Sequence, residues 1–156
     1  MSRVLMVYLV GSMFLGACAA PAPAAAYSLD DLTGALGRAG GGNDYGSADF
    51  TADLEAAEAT VRQAGEVEQA FFSVGGQLLS LDGQDVQVFE YPDAAYRQTE
   101  SDQISSDGST IGTTMITWVD QPNFWAKGRL IVLYVGRDAA TIEMLSGILG
   151  EPLTGR

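Results

Sequence analysis

The stretch Gln77-Leu78-Leu79-Ser80-Leu81-Asp82-Gly83-Gln84-Asp85-Val86-Gln87-Val88-Phe89-Glu90-Tyr91 decides the fold class. Two runs rich in β-branched, aromatic and aliphatic residues flank Asp82-Gly83-Gln84, and glycine there supplies the positive φ of a tight hairpin turn. The reading is an antiparallel hairpin. Downstream, Pro92-Asp93 ends the second strand and opens a polar helix from about Ala94 to Gln103, followed by a turn at Ser106-Asp107-Gly108-Ser109. A second pair of strands is expected at 113–119 and 129–135, with Asp120 to Gly128 as the loop between them. Leu130-Ile131-Val132-Leu133-Tyr134-Val135 is apolar on both faces, which places it inside the sheet. Asp138 caps a last helix in which Ile142, Leu145 and Leu149 share a face, and Gly150 with Pro152 stops it.

Upstream, Thr51-Ala52-Asp53-Leu54-Glu55-Ala56-Ala57-Glu58 reads as a helix capped by Thr51, with acidic residues at its positive end. Thr60 to Ala64 is either a strand or the last helical turn, and periodicity leaves both open. Helix, strands, helix, strands, helix predicts an α+β domain: an antiparallel sheet of about four or five strands with helices packed mainly on one face. Its expected span is 50–156.

Residues 1–49 read differently. Arg3 precedes an apolar run from Val4 to Leu15, the build of a secretory signal, and the run is too short and poorly flanked for a durable membrane span. It ends on Leu15-Gly16-Ala17-Cys18, which holds the only cysteine of the chain. This motif resembles the lipobox of bacterial lipoproteins. The resemblance implies cleavage before Cys18, lipid attachment to its thiol, and anchoring to a membrane on its extracytoplasmic face. Two or more acyl chains, at about 0.8 kcal/mol per buried methylene, would hold such a protein firmly. An ordinary secretory signal that happens to contain a cysteine is the alternative. Ala19 to about Ser28 reads as an Ala/Pro spacer, Ser28 to Gly37 as a short helix, and Gly40 to Ser47 as a flexible loop, so that 18–49 forms the tether.

The region from about Gly65 to Gly150 is also similar to a group of small bacterial lipoproteins that carry no known activity. The matching residues are Gly65-Glu66-Val67-Glu68-Gln69, Val86-Gln87-Val88-Phe89-Glu90-Tyr91 and Gly128-Arg129-Leu130-Ile131-Val132-Leu133-Tyr134-Val135-Gly136. The resemblance supports the anchor and the fold and implies no chemistry.

Cleavage would remove the first 17 of 156 residues and Arg3 with them, leaving seven basic residues against twenty acidic ones. Such a chain repels nucleic-acid phosphates and anionic lipid surfaces, so we expect no nucleic-acid partner. There is no histidine, and the single cysteine is assigned to lipid. Zinc sites of the usual kind, thiol nucleophiles and Ser-His-Asp triads are therefore out of reach, and no cofactor or metal is expected.

Four residues stand out as possible ligand or partner contacts. Glu90 is a carboxylate on the same strand face as Val86 and Val88, open to a proton-transfer reading but more simply a wet strand end. Trp118, Phe124 and Trp125 gather large rings around one loop, either as an exposed partner anchor or as core plugs. Asp82 with Asp85, and Asn43 with Asp44 and Asp49, lack the spacing of a calcium loop and read as turn residues. Lys127, Arg129 and Arg137 form a basic neighbourhood suited to pairing with carboxylates. The resulting expectation is a lipid-anchored, extracytoplasmic binding or scaffold domain that meets an envelope protein or small ligand. The alternatives are a tethered hydrolase-like enzyme using carboxylates such as Glu90 with a tyrosine, or an inhibitor inserting its Phe124-Trp125 loop.

Overall fold

The computed structural model describes residues 42–155. The lipobox, the Ala/Pro spacer and the helix expected at Ser28 to Gly37 lie outside the described residues. Among the described residues three helices and seven strands follow in order: α1 (Ser47–Ala56), β1 (Val61–Val67), β2 (Gly76–Leu81), β3 (Gln84–Glu90), α2 (Ala94–Ser101), β4 (Thr110–Ile111), β5 (Thr114–Met115), β6 (Pro122–Lys127), β7 (Leu130–Val135) and α3 (Ala139–Leu149). Five strands form one antiparallel sheet in the order β1-β2-β3-β7-β6, and β4-β5 is a separate two-stranded ribbon. The α+β class expected from the sequence is the observed one.

The sheet is buried on both sides, and the two sides are covered differently. On one, α1 and α3 bring Phe50, Leu54, Leu145 and Leu149 onto Leu79, Leu81, Val86, Val88, Trp125, Leu130 and Val132. On the other, Phe72 from the β1–β2 connection and Ile111 from the small ribbon cover Phe89, Phe124, Ile131 and Leu133, with Phe71, Trp118 and Leu153 at the margin. Because β7 feeds both cores, Leu130 to Tyr134 show the continuous apolar run of a doubly covered strand. Each fully buried large side chain contributes about 1.5–3 kcal/mol by leaving water.

The turns explain the register. Asp82 (φ 50°) and Gly83 (φ 89°) both take the left-handed backbone of a type I′ hairpin, with Leu81 paired to Gln84. Asp82 also accepts from the Thr60 N–H through Oδ1 and donates its own N–H to Thr60 O, which fastens the start of β1. Of the two readings left open for 60–64, the strand holds. β1 carries a bulge between Gln63 and Gly65. Val61 and Val67, six apart, would share a face of a regular strand; the extra residue reverses the parity, so Val61 packs on the helix-covered core and Val67 on the other.

Three local expectations are corrected. First, α1 starts at Ser47, with Gly46 as N-cap and the Asp49 carboxylate accepting from the Gly46 N–H, while Thr51 sits inside the helix and donates its hydroxyl to Ser47 O. Tyr45, expected in a flexible loop, is core: it is 4 % exposed. Second, 113–119 is not a strand of the main sheet; only Thr114–Met115 pairs, within the ribbon. Third, the expected loop contains strand β6, joined to β7 by the two-residue turn Gly128-Arg129 with Lys127 opposite Leu130. Gly128 at φ 54° suits a type II′ turn, and a Cβ there would meet the Tyr45 backbone at 2.5 Å. Pro122 is tolerated as the first residue of an edge strand, where a missing donor costs no ladder bond.

Candidate functional site

Glu90 ends β3 and is half-buried. Its Oε1 lies 2.6 Å from the Arg129 guanidinium, and its Oε2 accepts from the Ser47 hydroxyl at 2.6 Å. Arg129 stands in the β6–β7 turn, so the carboxylate joins three elements: the first residue of α1, the end of β3 and the neighbouring hairpin. The helix N-terminus adds a favourable partial positive charge beside it. Space is tight, since a Cβ on Gly46 would fall 2.7 Å from Glu90 Oε1. Both oxygens of Glu90 are thus committed, Oε2 to holding the start of α1 and Oε1 to the β6–β7 turn.

The remaining expected contacts separate. Phe124 and Trp125 are fully buried, on opposite faces of β6. Strand alternation sends one ring to each core, so they form no protruding loop of the kind an inserting inhibitor would need. Trp125 donates its indole N–H to Ser146 Oγ at 3.3 Å. Trp118 and Phe124 do meet, edge to face at 5.8 Å, in a ring cluster with Phe71, Phe72 and Phe89. Trp118 is half-buried and spends its indole N–H on Gly108 O at 2.7 Å. The one buried side-chain polar atom without a hydrogen-bond partner among the described residues is the Tyr91 hydroxyl, which burial pushes well above the ordinary tyrosine range.

The basic neighbourhood pairs with carboxylates as expected. Lys127 lies 3.8 Å from Asp53 and 4.0 Å above the Tyr45 ring, and donates to Ile148 O. Arg137 meets Asp120 at 2.7 Å. Burial, reinforced by the hydrogen bond to Asp53, raises the Tyr45 hydroxyl out of reach of physiological ionisation, so this trio is a clamp on the β6–β7 turn. Asp107 accepts from Ser105 Oγ and from the Ser109 N–H and hydroxyl; these bonds to the charged form hold its carboxyl at about 2. Among the described residues, no group of three or more carboxylates, histidines or cysteines is placed to hold a metal ion, and no helix is long and apolar enough to cross a membrane.

What the sequence reading missed is the open side of the sheet. β1 is an edge strand whose side chains are half-exposed or exposed throughout. At its far end two adjoining hollows of about 320 and 380 Å³ flank Glu68 and Gly75. The signal was present in Arg62-Gln63-Ala64-Gly65-Glu66: a polar strand with glycine at a bulge is an edge rather than an interior strand. Compared with known protein families, curated proteins and solved structures, the chain matches none.

Proposed function

We propose that this protein is a lipid-anchored domain on the extracytoplasmic face of a bacterial membrane, working by binding an envelope protein, peptide or small ligand rather than by catalysis. The observation that carries the reading is Leu15-Gly16-Ala17-Cys18 at the end of the apolar run from Val4. A cysteine at that spacing is the acceptor such a signal needs, and two or more acyl chains on it give a stable anchor. Strong acidity supports the same reading: a chain with twenty Asp and Glu against eight Lys and Arg stays soluble beside an anionic surface without adhering to it. The commitment of Glu90 to Arg129 and Ser47 also favours a structural use of the carboxylate that was the best catalytic candidate.

The test is intact-mass measurement of the natively purified protein with fractionation of its host. The expected product begins at Cys18, carries acyl chains and sediments with membranes, while C18S is released or retained as precursor. An unmodified thiol, or recovery of the wild-type chain from the cytosol, overturns the reading.

A further inference from the structure

The two edges of the sheet are finished in opposite ways. On β6, the Leu153 N–H donates to Phe124 O at 2.6 Å, and the Phe124 N–H donates to Thr154 Oγ1 at 3.2 Å, so the segment after α3 occupies the outer side of that strand. On β1, among the described residues, no strand lies outside. The Asp82 N–H bonds Thr60 O, so by the alternation of an antiparallel ladder Val61 and Gln63 turn their N–H and C=O away from β2. Counting from the Leu81–Gln84 hairpin pair gives Glu66 the same outward direction beyond the bulge. Unpaired donors and acceptors of this kind are a template for an added strand.

The chemistry is acidic at the Val67 end of this edge, away from Arg62, the one cation of β1. Glu66 and Glu68 are exposed and, among the described residues, form no ion pair, whereas Lys127, Arg129 and Arg137 each sit on a carboxylate. The hollow of about 320 Å³ is lined by Glu66, Glu68 and Gln77, and the adjoining one by Glu68, Gln69 and Ser73, which offers oxygen acceptors to a cation on a long side chain. A second copy of the chain is a poor occupant, since it brings a net charge of −12 against the same charge.

We propose that the outer side of β1 receives an extended, lysine- or arginine-bearing segment of a partner polypeptide, which adds a sixth strand and seats a cation at Glu66 and Glu68. The proposal rests on the reading of the domain as a binding module and names the chemistry of what it binds. Backbone pairing supplies register, and the carboxylates select for charge and speed the encounter.

The experiment titrates the full chain, in neutral detergent, with the capped heptapeptide Lys-Val-Lys-Val-Lys-Val-Lys and a version N-methylated at alternate residues. Saturable one-to-one binding is expected. N-methylation, which removes backbone donors without touching the protein or the charge, should weaken it at least tenfold. E66Q/E68Q should weaken it about tenfold and flatten its salt dependence. Equal affinity for both peptides reduces the contact to charge attraction and overturns the strand-addition proposal, as does failure of the unmethylated peptide to bind at 1 mM. Sedimentation of the peptide-free protein as a dimer that the unmethylated heptapeptide cannot dissociate gives the edge to a second copy and overturns it too. The two readings fail separately: an unlipidated mature terminus removes the envelope anchor and leaves the peptide result standing, while an acylated protein indifferent to N-methylation keeps its anchor and loses this edge.

Discussion

Arg129 and Glu90 meet at 2.6 Å across the ends of two strands, and the Ser47 hydroxyl closes on the other carboxylate oxygen. The side chains are 31 % and 35 % exposed, so water screens the pair and its strength is that of a surface bridge with one added hydrogen bond. A double-mutant cycle with R129A and E90A, read by urea unfolding, should give a coupling of about 0.5–1 kcal/mol at low salt that shrinks in 0.5 M sodium chloride. Hydrogen exchange should then speed up first in α1, whose first residue the pair restrains.

Trp125 is the largest fully buried side chain. Truncation to alanine leaves a cavity between α3 and the sheet and removes the bond to the Ser146 hydroxyl. The expected loss is about 3–5 kcal/mol, a large part of the 5–15 kcal/mol typical of a domain, and W125F should lose distinctly less. Urea midpoints at unchanged m-value check both.

The end of α1 predicts a gain. Glu58 holds φ 60° at the position after the C-cap, with its N–H on Glu55 O and the Ala59 N–H on Leu54 O, the two bonds of a Schellman motif. Left-handed backbone costs a non-glycine residue about 1–2 kcal/mol, partly offset in glycine by its greater freedom when unfolded. The carboxylate is also unfavourable at the negative end of the helix. E58G should therefore stabilise by about 0.5–1 kcal/mol, seen as a rise of a few degrees in Tm.

Acid should loosen the turn at Asp107. Its carboxyl is lowered from an ordinary 3.8 to about 2 by the Ser105 and Ser109 bonds, so the folded state binds its proton less readily than the unfolded chain. That contribution is fully present above about pH 5 and disappears as the pH falls from about 4 to about 2. Asp138, lowered by Thr141, acts in the same direction. In tryptophan-monitored unfolding from pH 5 to 2, D107N should lose less stability than wild type over that interval, and the two curves should converge at its acid end.

Features with a strong local signal were legible in the sequence. Asp82-Gly83 announces its hairpin because two successive left-handed residues are needed there, and Asp138 with Gly150 brackets α3 at both ends. β6 escaped because each cue pointed elsewhere. Proline at its start suggests a loop, and consecutive Phe124 and Trp125, buried in different cores, erase the alternation of a half-buried strand. The onset of α1 escaped because its cap is a glycine reached by Asp49, which imitates no side-chain cap, while Thr51 imitates one. The partnership of Glu90 with Ser47 spans 43 residues and depends on how α1 lands on the sheet, which no local pattern encodes.

The bonds that Leu153 and Thr154 make to Phe124 reach back some thirty residues, from the last part of the domain to be synthesised. A chain emerging amino end first, whether from a ribosome or through a translocation pore, holds β6 with a bare flank until those residues arrive. Closure of that flank therefore waits on Leu153 and Thr154, and a chain arrested short of Leu153 would present both β6 and β1 as sticky margins.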